Sequence, residues 1–246
     1  MSLLSWIFII IFAALMAGFV QGVTGFGSGI VMMIFLPHLL PINQSAGVST
    51  LTMVIANVML VWKYRKHLDW QKIIAPFLIY ACMALSSLYL SSFFASNHLK
   101  ILLGLLLIVL SIYYAVMNIR SISIKAIPLW IMVIFSLISG FFNGMFGIGG
   151  PLMALYFLTN SKSKENYLSN IQTFFLMDTF LMTTVRFSSG ILTFSNLKYI
   201  AVGIVGAVLD TILANHLVGH LNIKLMKLFI YIFIGLSGLY YLISSI

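Results

Sequence analysis

Charged residues are scarce in this 246-residue chain: they make up 7% of it, and only four of them are acidic. A soluble domain carries roughly 25% charged residues. Residues 1–62 contain no Lys, Arg, Asp or Glu. As one straight helix that stretch would be about 93 Å long, against a bilayer core of about 30 Å, so it must turn back at least once. A soluble fold is excluded, and an all-α polytopic membrane protein is predicted.

Features of redox, ATP-driven and metal chemistry are also missing. The lone cysteine, Cys82, lies inside an apolar stretch, which excludes a disulfide framework and CxxC chemistry. No Gly-x4-Gly-Lys-[Ser/Thr] sequence is present, so direct use of ATP is not expected. His216 and His220 have the spacing of a helical metal pair, but no cysteine or nearby carboxylate completes a site. We therefore expect no metal, no cofactor and no enzymatic activity.

The 13 basic residues give a net charge of +9, which in another setting would suggest nucleic acid. Most of them fall between apolar runs, where the positive-inside rule places them in loops on one side of a membrane. The N-terminus has no basic region and no cleavage site of a signal peptide, so the first apolar segment is expected to be retained. The expected partners are a lipid bilayer and a small molecule rather than nucleic acid, and a homodimer is left open.

An internal repeat divides the chain. Residues 18–27 can be laid on residues 140–149 with an offset of 122, close to half the chain length. Five positions recur identically and Gln21 recurs as the shorter amide Asn143. Residues 49–51 and 111–114 find matches, in order, at 172–174 and 238–241. We predict two homologous halves, 1–122 and 123–246; the alternative is generic similarity between apolar helices.

Each half shows the same series of apolar segments. They cover roughly 3–21, 28–40, 45–62, 72–94 and 98–118 in the first half, and 127–144, 149–160, 165–187, 197–217 and 223–245 in the second. The second segment of each half is short for a membrane span and directly follows the glycine cluster. Each glycine in a helix costs roughly 1 kcal/mol relative to alanine. We therefore predict that each first helix breaks at its glycines and continues as a half-helix.

The distribution of cations tests the topology. If each broken segment crossed the membrane once, the two sides would receive eight and five cations. If each broken segment formed a hairpin, the partition would be ten against three, which the positive-inside rule favours. Two full crossings in place of each hairpin would give the same parity. The halves are then inverted repeats in a bacterial plasma (inner) membrane, with both termini outside.

The glycine breaks also predict a site. Irregular backbone at membrane depth is tolerated only inside protein or beside an aqueous cavity. A half-helix starting near Ser28 or Gly150 presents free N–H groups and a partial positive charge, which suit an anion. The predicted binding residues are Gln21, Thr24, Gly25, Gly27, Ser28, Asn143, Gly147, Gly149, Gly150 and Gln172. The alternative is that Gly18-x3-Gly22 and Gly140-x3-Gly144 are only helix-packing contacts.

A carboxylate within an apolar segment is the second functional signal. Asp178 lies in such a segment, where it costs roughly 2.5–3.5 kcal/mol. It is a candidate for proton coupling or the partner of an inward cation such as Arg186; alternatively, hydroxyls and backbone groups of neighbouring helices satisfy it. Asp210 occupies a similar position in the following segment.

The two halves resemble those of the TauE/SafE family of membrane transporters. The resemblance rests on the glycine clusters of both halves, on residues 46–50 and on the loop from Arg65 to Trp70. It covers nearly the whole chain, with one departure at Asn170-x-Gln172-Thr173, where Ser/Thr-rich sequence is commoner. It implies a secondary transporter, usually an exporter, of sulfite or small organosulfonates. A passive anion channel or a membrane scaffold without transport is the alternative.

Overall fold

The computed structural model describes residues 3–119, 127–217 and 223–245. The first half contains α1 (Leu3–Thr24), α2 (Ser28–Phe35), α3 (Ile42–Thr52), α4 (Val54–Tyr64), α5 (Trp70–Ser91) and α6 (Ser96–Ile119). The second contains α7 (Leu129–Phe146), α8 (Gly150–Asn160), α9 (Lys164–Ser188), α10 (Leu197–Leu217) and α11 (Ile223–Ile243). Short 3₁₀ turns follow α2 and α4 and precede α10. No strand occurs in these ranges, and four described helical segments are long and apolar enough to span a membrane, which confirms the all-α polytopic prediction.

The first helix of each half is interrupted at its glycines, as predicted. α1 ends at Thr24 and α2 begins at Ser28. The rings of Phe12 in α1 and Phe35 at the end of α2 lie only 5.8 Å apart. If α2 continued in the direction of α1, these rings would be separated by more than about 30 Å. α2 therefore folds back along α1, and the pair is a hairpin.

The second half repeats this arrangement. α7 ends at Phe146 and α8 begins at Gly150. The Ser136 hydroxyl oxygen, near the middle of α7, lies 3.8 Å from the sulfur of Met153, near the start of α8. α8 thus folds back along α7. Glycine-broken hairpins in both halves are confirmed.

The second hairpin places the end of α8 beside the loop between α4 and α5. Lys72 Nζ donates to the Asn160 carbonyl oxygen over 2.6 Å, and Asn166 Nδ2 donates to the His67 carbonyl oxygen over 2.6 Å. The cations around this end of the bundle are Lys63, Arg65, Lys66, Lys72, Lys162 and Lys164. The hairpin topology requires these cations to lie on the same side of the membrane. Which end of the bundle faces the cytoplasm stays a prediction.

The main helix pairs of the bundle each join a helix of the first half to a helix of the second half. The most extensive contacts pair α1 with α10, α7 with α5, and α6 with α11. If α3 and α4 together are counted as the third segment, the first segment of each half packs against the fourth segment of the other. Such reciprocal pairing is what a twofold relation between halves requires. The duplication and its boundary stay predictions, because residues 120–126, which contain the boundary, lie outside the described residues.

The third segment is where the halves differ. Residues 45–62 were expected to form one apolar helix, but the structure divides this region into α3 and α4 at Met53, whose φ and ψ are −87° and 0°. In α3 the Thr50 hydroxyl donates to the Ala46 carbonyl oxygen over 2.8 Å, a bond that competes with the helical ladder and bends helices. The corresponding α9 is continuous over 25 residues.

Candidate functional site between the interrupted helices

A polar cavity of about 60 Å³ lies between the starts of α2 and α8. A buried water needs roughly 10–15 Å³ of such space, so about four waters fit. Its lining includes the middle of α9, and Asp178 lies about 21 Å from the first residue of that helix and about 15 Å from the last. The cavity is therefore near the centre of the bundle. The polar side chains that line it are Gln21, Ser28, Ser49, Thr50, Asn57, Tyr80, Asn143, Asp178 and Thr179.

Equivalent glycines end the two interrupted helices in the same way. Gly25 and Gly147 have φ values of 82° and 66°, in the left-handed region that glycine adopts without steric cost. The Gly25 N–H donates to the Gln21 carbonyl oxygen over 2.7 Å, and the Gly147 N–H donates to the Asn143 carbonyl oxygen over 2.8 Å. These are left-handed C-caps, and each stops a helix one turn after the duplicated amide residue.

The earlier glycines of α7 serve packing instead. A Cβ atom on Gly140 would meet the Tyr80 carbonyl oxygen, and one on Gly144 would meet the Ala84 carbonyl oxygen and the Ser87 hydroxyl. α7 and α5 therefore approach backbone to backbone, as small residues allow in membranes. The packing interpretation is right for these two glycines, while the glycines that follow them form the break.

A chain of side-chain amides fixes the first half of the site. Gln172 Nε2 donates to the Gly25 carbonyl oxygen over 2.7 Å, so its Oε1 is left to accept from Gln21 Nε2 over 3.0 Å. Gln21 Nε2 also donates to Asn57 Oδ1 over 2.5 Å. Both N–H groups of the Gln21 amide are thereby used, and its Oε1 has no partner. Because the Asn57 side-chain oxygen accepts this bond, its amide nitrogen is left as the donor that Asn57 can offer at the cavity.

The second half of the site carries an acid. Asn143 Nδ2 donates to Asp178 Oδ1 over 2.9 Å, and both side chains are buried. Tyr80 lies beside Asp178 and is 0% exposed, so the Asp178 carboxylate is the acceptor that its buried hydroxyl faces. A Cβ atom on Gly149 would collide with this hydroxyl, so glycine at this position leaves the phenol room beside the start of α8.

Arg186 is fully buried and binds backbone rather than a carboxylate. Its Nη2 donates to the carbonyl oxygens of Asn143 and Gly144 over 3.2 Å each, and its Nη1 lies 3.5 Å from the Thr50 hydroxyl oxygen. These carbonyls belong to the last turn of α7, where a cation is favoured by the helix dipole. Arg186 and Asp178 form no salt bridge, but each is close enough to act on the charge of the other, so the partnership of the two stays a prediction. The alternative was that hydroxyls and backbone groups satisfy Asp178. Its observed hydrogen-bond donor is the side-chain amide of Asn143.

The cavity gathers most of the residues that the sequence singled out. Those lining it are Gln21, Gly27, Ser28, Asn143, Gly147, Gly149, Gly150 and Asp178. Three lie behind the lining: Thr24, Gly25 and Gln172. The Thr24 hydroxyl donates to the Val20 and Phe26 carbonyl oxygens, and Gln172 holds Gly25. These three residues shape the break instead of facing the cavity.

Five polar lining residues were missed at the sequence level: Ser49, Thr50, Asn57, Tyr80 and Thr179. Asn57 interrupts an apolar stretch of α4, and an amide in a membrane helix is a signal that could have found it. Tyr80 carries no local signal, because only the packing of α5 on α7 brings it to the cavity. Asp210 lies elsewhere: it packs against Gly18 between α10 and α1 and does not line the cavity. The side chains of His216 and His220 lie outside the described residues.

A polar cavity with room for several waters, at the meeting point of two interrupted helices in an apolar bundle, is the arrangement of a membrane transporter. The chain matches the family model described as Sulfite exporter TauE/SafE over residues 10–241. It therefore belongs to this family and is a multi-pass membrane transporter of the sulfite-exporter type. Neither the curated proteins nor the solved structures that were compared give a match to the chain.

Proposed function

We propose that this protein exports small sulfur oxyanions, such as sulfite or organosulfonates, and that the anion binds in the cavity where α2 and α8 begin. The single observation that carries the proposal is the convergence of both half-helix starts on one buried polar space. Family membership supports the substrate class. The anion-binding role of the individual residues is inferred from their chemistry.

Donors for an anion are present on the first side of the cavity. The first N–H groups of α2 have no intrahelical acceptor, and the helix dipole adds partial positive charge at Ser28. Ser28 and Asn57 line the same space, the one with a hydroxyl and the other with its amide nitrogen. Neutral donors of this kind hold an oxyanion without a fixed guanidinium clamp, so release stays feasible.

The size of the cavity limits what it encloses. About four waters fit, which is the scale of a sulfite ion or of the headgroup of a sulfonate. We therefore propose that the whole sulfite ion fits within the cavity, whereas the organic part of a longer sulfonate extends out of it.

Asp178 is proposed as the coupling group. It is the only acidic side chain among the described residues that line the cavity, so any anion bound there is close to it. An ionised carboxylate repels an anion, whereas a protonated one does not. Transport is then coupled to protons, with both termini of the chain outside because the clustered cations face the cytoplasm.

Transport of labelled sulfite, taurine and sulfoacetate into and out of vesicles that contain the purified protein tests this function. In Gln21→Ala and Asn143→Ala we expect transport to fall at least about tenfold, because a single hydrogen bond of about 1.4 kcal/mol accounts for a factor of ten and these variants lose two and one, respectively. Gln71→Ala and Asn97→Ala remove exposed amides and are the matched controls.

The alternatives predict different results from the same vesicles. A passive channel would give flux of sulfite without counterflow exchange, and a scaffold would give no flux. If the protein transports but both amide variants equal their controls, the binding site is elsewhere.

A further inference from the structure

We infer that the two sides of the cavity divide two functions between them. The side formed by Ser28 and Asn57 binds the anion, and the side formed by Asp178 and Tyr80 binds the proton that is transported with it. This inference rests on the proposed function. It assigns Asn57 and Tyr80, which family membership alone does not assign, to two different tasks.

The first argument is that corresponding amides have chemically different partners. Gln21 donates to Asn57, and its counterpart Asn143 donates to Asp178. Asn57 cannot take up a proton at accessible pH, whereas Asp178 can. Asn57 lines the cavity, and the hydrogen bond from Gln21 engages its oxygen and not its amide nitrogen, so that donor is available to a ligand.

The second argument comes from the helices that pack against the breaks. A Cβ atom on Gly140 would lie 3.1 Å from the Met83 side chain, and one on Gly18 would lie 2.6 Å from the Asp210 carboxylate. Met83 and Asp210 each stand thirteen residues after the start of their helix, α5 and α10, so the two packings share one register.

In that register the counterpart of Tyr80, ten residues after the start of α5, is Ala207 in α10. Alanine has no hydroxyl. The phenol, whose buried O–H faces Asp178, is therefore present on the Asp178 side of the cavity and missing from the Asn57 side.

The third argument is the start of the two half-helices. α2 begins with Ser28 and Gly29, both of which carry backbone N–H groups, and the Ser28 hydroxyl adds another donor. α8 begins with Gly150 and Pro151, and proline has no N–H. The start of α2 thus offers more donors to an anion than the start of α8.

The charges around Asp178 couple the two halves. The titratable groups that face Asp178 are Arg186 on its own helix and Tyr80 on α5; Asn143 on α7 faces it as a neutral donor. When Asp178 is ionised, its charge offsets that of Arg186. When Asp178 is protonated, the positive charge of Arg186 is no longer offset and attracts an anion into the cavity.

The transport step follows from this coupling. A proton from water on one side forms an O–H bond with Asp178 while the anion binds beside Asn57. After the cavity opens to the other side, that O–H bond breaks, and the proton and the anion leave together. A sulfite dianion accompanied by one proton carries a single negative charge outward, a movement that an inside-negative membrane potential favours.

The test measures labelled sulfite and protons together, with a pH-sensitive dye inside vesicles containing the full-length protein. For the parent we expect tighter sulfite binding at lower pH and about one proton per sulfite. For Asn57→Ala we expect the KM for sulfite to rise about tenfold with the proton-to-sulfite ratio kept. For Asp178→Asn we expect sulfite exchange that no longer responds to pH, with a lower ratio.

Tyr80→Phe removes the hydroxyl and keeps the ring, which packs against Phe174 at a centroid distance of 4.7 Å. We expect a lower proton-to-sulfite ratio or a displaced pH profile in this variant. Tyr89→Phe, on the lipid-exposed side of the same helix, is the matched control and should behave as the parent. A monodisperse elution profile shows that each variant is folded.

The results that would overturn the division are distinct from failure of the proposed function. If the parent moves no sulfite, the proposed function fails and the division fails with it. If the parent transports, the division is wrong when folded Asp178→Asn keeps the parent ratio or when Asn57→Ala changes that ratio instead of the KM. It is also wrong if the double variant Asn57→Asp/Asp178→Asn regains the parent ratio, because the halves would then be interchangeable.

Discussion

The third segments of the two halves make the most instructive comparison in this molecule. In the first half this segment is bent at Met53 and carries no formal charge before Lys63. In the second half, α9 runs without interruption and buries both an arginine and an aspartate. The two segments pack against each other, and both line the cavity. Both halves contain a glycine-broken hairpin, whereas the charged side chains that line or border the cavity lie on the third segment of the second half.

The largest effect is expected from removing Arg186, the buried cation that α9 has and the third segment of the first half does not. Arg186→Met should lower the free energy of unfolding by several kcal/mol, since each of the Asn143 and Gly144 carbonyls that it leaves without this donor costs about 1–3 kcal/mol. Thermal unfolding in detergent measures the loss. Arg65→Met, which removes an exposed cation, should change it little; equal effects of the two substitutions would contradict the capping role of Arg186.

A smaller effect is expected at the break itself. Gly147→Ala forces alanine into a left-handed conformation, at about 1–2 kcal/mol, and brings its Cβ atom to 3.1 Å from the Ala46 carbonyl oxygen. Gly190 has a similar φ of 74° with open space around it, so Gly190→Ala isolates the cost of the conformation. The midpoint temperature of thermal unfolding should therefore be lower for Gly147→Ala than for Gly190→Ala. The reverse order would mean that the break tolerates a side chain.

The smallest effect concerns the start of the continuous helix. The Ser163 hydroxyl oxygen accepts from the Asn166 N–H over 3.2 Å and caps α9, whereas Pro41 at the start of α3 provides no side-chain cap. Ser163→Ala should lower the free energy of unfolding by about 1 kcal/mol. Ser86→Ala, at an exposed mid-helix position, is the control. An unfolding midpoint equal to that of the control would show that α9 needs no cap.

Much of the fold could be predicted because its signals are local. Glycine in a run of apolar residues destabilises a helix wherever it occurs, and both breaks lie where the clusters placed them. The hairpins followed from the positions of the cations. The bend at Met53 could not be predicted in this way, because it depends on hydroxyl groups that compete with backbone bonds and on packing against other helices.

The site was only partly predictable for the same reason. The sequence by itself determined that Gln21, Asn143 and Asp178 sit in an apolar environment where polar groups need partners. The tertiary structure decided which partner each one has: Gln172 fixes the direction of the Gln21 amide, and that direction engages the oxygen of Asn57, so that its nitrogen is left as a donor. Hydrogen-bond direction depends on groups far away in the chain, so composition and spacing do not contain it.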